Sequence, residues 1–115
     1  MRQHQLLQVG ELTDGEIRPL EIDGRSLLLV NGENGPALIN RICPHAGGDL
    51  AKGTVVGNRI RCPTHNYLFK LDTGVCPLGR REGWGPLPVH KLHVREGYLY
   101  VEFADLKHKH NEALQ

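Results

Sequence analysis

Cys43-Pro44-His45 and Cys62-Pro63-Thr64-His65, with sixteen residues between the first histidine and the second cysteine, decide how this chain is read. Together they offer two thiolates and two imidazoles on a pair of loops. Two soft sulfurs and two ring nitrogens suit a tetrahedral zinc or an iron–sulfur centre. A zinc finger usually draws like ligands from each segment, two cysteines and then two histidines. Here each loop supplies one of each. That order lets both thiolates reach one iron and both imidazoles another. Buried free thiols alone would impose no fixed spacing to histidine.

These residues resemble the Rieske 2Fe–2S family, in which histidines replace two cysteines on one iron. Its pattern of C-x-H, a spacer, then C-x-x-H is met at all four positions. The surroundings agree. Gly47 follows the first pair, Leu50 and Gly53 lie beyond it, and a proline follows each cysteine. Phe69-Lys70-Leu71-Asp72-Thr73-Gly74 is similar to the family's strand and turn after its second loop. Gly85-Pro86-Leu87-Pro88 resembles the proline loop that covers the cluster. The resemblance implies one 2Fe–2S cluster held by Cys43, His45, Cys62 and His65. Zinc on the same four ligands is the colourless alternative.

The charge count explains why imidazoles matter. Two ferric ions, two sulfides and two thiolates sum to zero, whereas four thiolates would add further negative charge. Less negative charge eases electron uptake and raises the potential. High-potential members of the family add a disulfide between the loops and hydroxyl donors from a Ser and a Tyr. The matching positions here are Gly48 and Thr64 for the disulfide, Tyr67 and Phe69 for the hydroxyls. The resemblance therefore points to the low-potential class.

At 115 residues the chain is expected to form one domain with a modest core. A net charge of +1 gives no reason to expect nucleic acid or an anionic membrane as partner. No apolar run approaches the roughly twenty residues that cross a bilayer, and the N-terminus does not read as a secretion signal. Three cysteines cannot build a disulfide scaffold. A reducing compartment, most simply the cytoplasm, is the expectation.

Short apolar runs between glycine-rich turns predict an all-β fold. Strands are expected at Leu6 to Val9, Ile17 to Ile22 and Ser26 to Asn31, the last two split by the hairpin signal Asp23-Gly24. Pro36 to Ile39 follows the turn Asn34-Gly35. Thr54 to Arg61 reads as a hairpin between the ligand loops, turning at Gly57-Asn58. Tyr67 to Leu71 is a further strand. Val89 to Val94 and Tyr98 to Phe103 read as a terminal hairpin about Glu96-Gly97. Helical turns are expected only at Glu11 to Glu16 or in the tail. The family's fold, an antiparallel β-sandwich with a cluster-binding lobe made of two ligand loops and a proline loop, agrees. We assign residues 1–106 to the domain, about 41–88 to the lobe, and 107–115 to a polar tail.

Other candidates have plainer readings. Cys76 is expected to be a buried small apolar residue rather than a redox thiol. Trp84 is expected to pack under the proline loop. Arg59, Arg61, Arg80 and Arg81 could rim the site for an acidic redox partner, or be solvated charges. His90 and His93, three apart on a strand, are expected on opposite faces. His108 and His110 fall in the tail. No catalytic triad, phosphate loop or mononuclear-iron motif is visible. The expected role is a one-electron carrier with no substrate site of its own, passing electrons from an NAD(P)H-dependent reductase to a terminal reductase or oxygenase. Asn66 and Tyr67 after the second pair, with Thr73 to Cys76, resemble nitrite reductase small subunits. The alternatives are the ferredoxin of a ring-hydroxylating dioxygenase and a redox-sensing module. Because Cys76 is surplus to the pattern, Cys76→Ser is expected to keep the visible cluster spectrum while Cys43→Ser and Cys62→Ser lose it; bleaching by Cys76→Ser would overturn the ligand set.

Overall fold

The computed structural model describes residues 2–44, 47–64, 66–78 and 85–103. Among these residues ten strands form three sheets, all antiparallel: β1 (Arg2–Gln8), β2 (Ile17–Ile22), β3 (Arg25–Gly32), β4 (Gly35–Asn40), β5 (Thr54–Val56), β6 (Arg59–Arg61), β7 (Leu68–Lys70), β8 (Val89–His90), β9 (Leu92–Arg95) and β10 (Tyr98–Phe103). The orders are β1-β10-β9, β2-β3-β4-β8 and β5-β6-β7. Tight turns set the registers. Asp23 and Gly24 both take positive φ (52° and 78°), as do Glu96 and Gly97 (51° and 81°). That is the backbone of a two-residue turn whose twist matches its flanking strands.

The four-stranded sheet lies in the middle. Leu27, Leu28, Leu29 and Val30 on β3 are all buried, although successive side chains point to opposite faces. Leu27 and Leu29, with Leu38 of β4, pack against Leu99, Val101 and Phe103 of the β1-β10-β9 sheet. Leu28 and Val30, with Ile39, face the other way, toward Cys43, Cys62, Ile60, Phe69 and Leu71. A run of apolar residues without alternation is the signature of a strand covered on both sides. Each fully buried leucine contributes about 1.5–3 kcal/mol of transfer free energy. The sandwich and the lobe therefore share one strand as a common wall.

Several expectations are corrected. The first strand is Arg2–Gln8, not Leu6 to Val9, because β10 pairs with Arg2 to Gln5 and, past a register shift, with Gln8. The turn expected at Glu11 to Glu16 is instead a 3-10 turn at Val9–Glu11, and a second occupies Leu50–Lys52. The strand expected at Val89 to Val94 breaks at Lys91. Val89 and His90 pair with β4, whereas Leu92–Arg95 pair with β10. The chain changes sheets there, so His90 and His93 belong to different strands. His90 bonds Asn40 (2.8 Å), and His93 lies 3.4 Å from Glu102. The tail 107–115, with His108 and His110, and also Arg80, Arg81 and Trp84, lie outside the described residues.

One polar brace sits at the base of the first ligand loop. Arg41 donates two hydrogen bonds to Asp49, 2.8 and 3.0 Å long, across the eight residues that enclose the loop. Asp49 Oδ1 also accepts from the Ala51 N–H (3.0 Å), capping the Leu50–Lys52 turn. Leu50 N–H donates to Arg41 C=O (2.9 Å), and Ile42 and Asp49 form a β-bridge. The Arg41 guanidinium and then the Ala51 amide hold the Asp49 carboxyl down at about 2, from 3.8. A lowered carboxyl stabilises the fold above its ordinary range and loses that contribution as pH falls through its folded value. Asp49→Ala is expected to cost about 1 kcal/mol near neutral pH through the lost cap, with the gap from wild type closing as pH falls from about 4 to about 2; denaturation midpoints at stepped pH check it, and a pH-independent gap would contradict it.

Candidate metal centre

Two loops rise from the lobe. The first joins β4 to the Leu50–Lys52 turn, and the second joins β6 to β7. They repeat one backbone pattern. Cys43 N–H donates to Gly48 C=O (2.8 Å), and Gly47 N–H donates to Cys43 C=O (2.9 Å). In the second loop Cys62 N–H donates to Tyr67 C=O (2.8 Å), and Asn66 N–H donates to Cys62 C=O (2.8 Å). In both, the residue four past the cysteine has positive φ: Gly47 at 70° and Asn66 at 59°. Glycine reaches that region freely, and asparagine is among the few side chains that tolerate it.

The loops meet side by side. A Cβ built on Gly48 would collide with Thr64 Oγ1, and would stand 3.4 Å from Cys62 Sγ and 3.5 Å from Thr64 Cβ. Both cysteines are buried, 1% and 0% exposed, in the same apolar core. Cys76 joins that core at 6% exposure, as expected for a packed small residue. His45 and His65 lie outside the described residues.

The third loop is held in place from below. Leu87 N–H donates to Gly74 C=O (2.9 Å), and Asn40 N–H donates to Pro88 C=O (3.1 Å). Gly74 has φ 78°, and a Cβ there would run into the Leu87 backbone. Only glycine lets the turn after β7 touch the Gly85-to-Pro88 segment so closely. Leu87 is buried in the same core cluster as both cysteines. The sequence reading named the Asp72-Thr73-Gly74 turn and the proline loop but not their contact. It also passed over Arg41 and Asp49. An Arg and an Asp eight apart give no local signal of pairing until the loop between them is closed.

The donor set fits an iron–sulfur group. Two buried thiols stand on adjoining loops, and the backbone amides and carbonyls beside them bond one another. A covered, largely apolar wall of Leu50, Ile60, Phe69 and Leu87 lies behind them. Such a wall limits water around a metal group and tunes its potential.

Comparisons with known proteins agree. Residues 2–84 match the family model described as the Rieske [2Fe-2S] domain. A Rhodococcus rhodochrous protein named probable 3-ketosteroid-9-alpha-monooxygenase, oxygenase component, is 35% identical over 109 residues, covering 85% of this chain and 26% of its own length. The human apoptosis-inducing factor 3 is 35% identical over 66 residues, covering 57% of this chain and 11% of its own length. The chain thus spans about a quarter or less of these curated relatives. Among solved structures, the ferredoxin of the carbazole 1,9a-dioxygenase oxygenase–ferredoxin complex aligns with TM-score 0.74 and 26% identity, covering 86% of this chain and 91% of the other. A Mycobacterium tuberculosis structure assigned as an NADH-dependent nitrite reductase small subunit aligns with TM-score 0.76 and 21% identity over 90% and 97% of the two chains. The latter likeness bears on fold alone. The sequence pattern, the paired loops and the family match converge: this chain belongs to the Rieske [2Fe-2S] domain family, and its cofactor is a Rieske-type 2Fe–2S cluster.

Proposed function

We propose that this chain is a low-potential one-electron carrier whose cluster is held by Cys43 and Cys62 on one iron and by His45 and His65 on the other. The contact between Gly48 and Thr64 carries the proposal. Their Cβ positions, 3.5 Å apart, fall at the separation a disulfide needs, yet neither residue is a cysteine. The covalent link of high-potential members is thus replaced by a glycine against a threonine. Phe69, fully buried, stands where those members place a hydroxyl donor. When bound, the cluster supplies reversible one-electron storage. The chain's own part is to bury the thiolates and align the two loops.

The terminal acceptor we favour is a sirohaem-type nitrite reductase, with this chain as the small subunit. Asn66 at positive φ followed by Tyr67 supports that reading. A ferredoxin serving a ring-hydroxylating dioxygenase is the second reading, favoured by the 26% identity to the carbazole dioxygenase ferredoxin over nearly its whole length. Either role suits a reducing compartment, most simply the cytoplasm. Among the described residues no helix is long and apolar enough to cross a membrane. NADH-driven nitrite reduction by a sirohaem subunit, with and without this chain, separates the two: stimulation supports the first, and stimulation only of an oxygenase supports the second.

The potential tests the class directly. Direct electrochemistry at neutral pH is expected to give a midpoint of roughly −150 to 0 mV, at the low end of the Rieske range. A midpoint above about +150 mV, in the upper half of that range, would overturn the low-potential reading.

A further inference from the structure

The outer face of the β5-β6-β7 sheet carries positive charge that has no ion-pair partner among the described residues. Ile60 and Phe69 point into the core, so their strand neighbours point out. The registers Val56↔Arg59↔Lys70 and Thr54↔Arg61↔Leu68 align these neighbours in two cross-strand rows. Three of the six are cations and none is acidic. Among the described residues Arg59, Arg61 and Lys70 form no ion pair. Asp72 lies just past the end of β7, and Glu33 lies against the Gly57 turn. Neither bonds the three.

One pairing runs against sheet stability. Leu71 N–H donates to Asn58 C=O, and Cys62 N–H donates to Tyr67 C=O. Those are hydrogen-bonded pairs, and alternation along the ladder makes Arg59/Lys70 a non-hydrogen-bonded pair. Side chains approach most closely there, and like charges placed opposite each other destabilise a sheet. Arg61 directly precedes Cys62, and β6 and β7 are the two strands that carry the second ligand loop. The uncompensated charge therefore sits at the foot of the redox site.

We infer that this face docks the acidic surface of a redox partner protein, with Arg59, Arg61 and Lys70 as the contact charges. The inference rests on the electron-carrier reading and adds the partner's sign and the face it meets. The cations would steer an acidic surface to the side of the molecule where the second cysteine loop begins. Steering of this kind raises association rates and fades with salt. The like-charge pair is relieved only when that surface is in place.

The test uses the reduced, cluster-loaded protein in stopped flow with three oxidants: the acidic protein plastocyanin, the basic protein cytochrome c and a neutral quinone. At low salt the rate to plastocyanin is expected to exceed the rate to cytochrome c, and to fall about tenfold or more on raising salt. Lys70→Glu and Arg61→Glu are each expected to slow the plastocyanin reaction several-fold and leave the quinone rate unchanged. Lys70→Glu places an opposite charge beside Arg59 and is expected also to raise the thermal midpoint, so stability and docking move in opposite directions. Arg59→Gln and Lys70→Gln give the same order of rates should a reversal fail to fold. Wild-type plastocyanin rates in all these variants, or faster reaction with cytochrome c at low salt, would overturn the docking face while the carrier reading stands. Failure of the wild type to reduce the quinone would instead overturn the carrier reading, and the docking face with it.

Discussion

The architecture depends on two loops being pressed together until their cysteines share one core. Gly48 is where they touch: a Cβ there would collide with the Thr64 hydroxyl as it stands and lie 3.4 Å from Cys62 Sγ. Each loop is closed by its own pair of backbone bonds. A metal group that draws one thiolate from each loop needs that separation set by the protein. Binding a metal group to thiolates from two loops is coupled to the folding that brings those loops together. The proline segment completes the arrangement, because Gly74 allows the turn after β7 to hold Leu87 against the same core.

The rest of the fold supplies a wall for those loops. β3 is apolar on both faces, so the lobe and the outer sheet are packed against one strand rather than linked by a hinge. The Arg41–Asp49 pair ties the start of the first ligand loop to its end, where the loop leaves the central sheet. The first loop is thus braced at its base by this ion pair.

Much of this was legible in the sequence for local reasons. Hairpins at Asp23-Gly24 and Glu96-Gly97 announce themselves because few residues tolerate positive φ, and the structure places both pairs there. The Cys and His spacing marked the loops because ligand chemistry restricts residue type and order. What was hidden depends on contacts distant in the chain. The switch at Lys91 leaves no trace in the alternation of Val89 to Val94, since pairing with β4 or with β10 asks for similar residues. The full length of β1 is set by its partner β10 rather than by its own polar sequence, Arg2-Gln3-His4-Gln5. The sequence reading named Ser26 to Asn31 only as a strand; that Leu27 to Val30 is covered on both faces came from the structure. The four proposed ligands remain a reading of the pattern for His45 and His65, which lie outside the described residues.

The central claim is that two thiolates and two imidazoles from this chain hold a two-iron cluster. Electron paramagnetic resonance of the reduced protein, labelled with nitrogen-15 at histidine, addresses it most directly. The account predicts a two-iron signal of low average g with coupling to two ligand nitrogens, reduced to one in His45→Cys or His65→Cys variants that retain a cluster. A colourless protein containing zinc and giving no signal, or a cluster signal without nitrogen coupling, would contradict it.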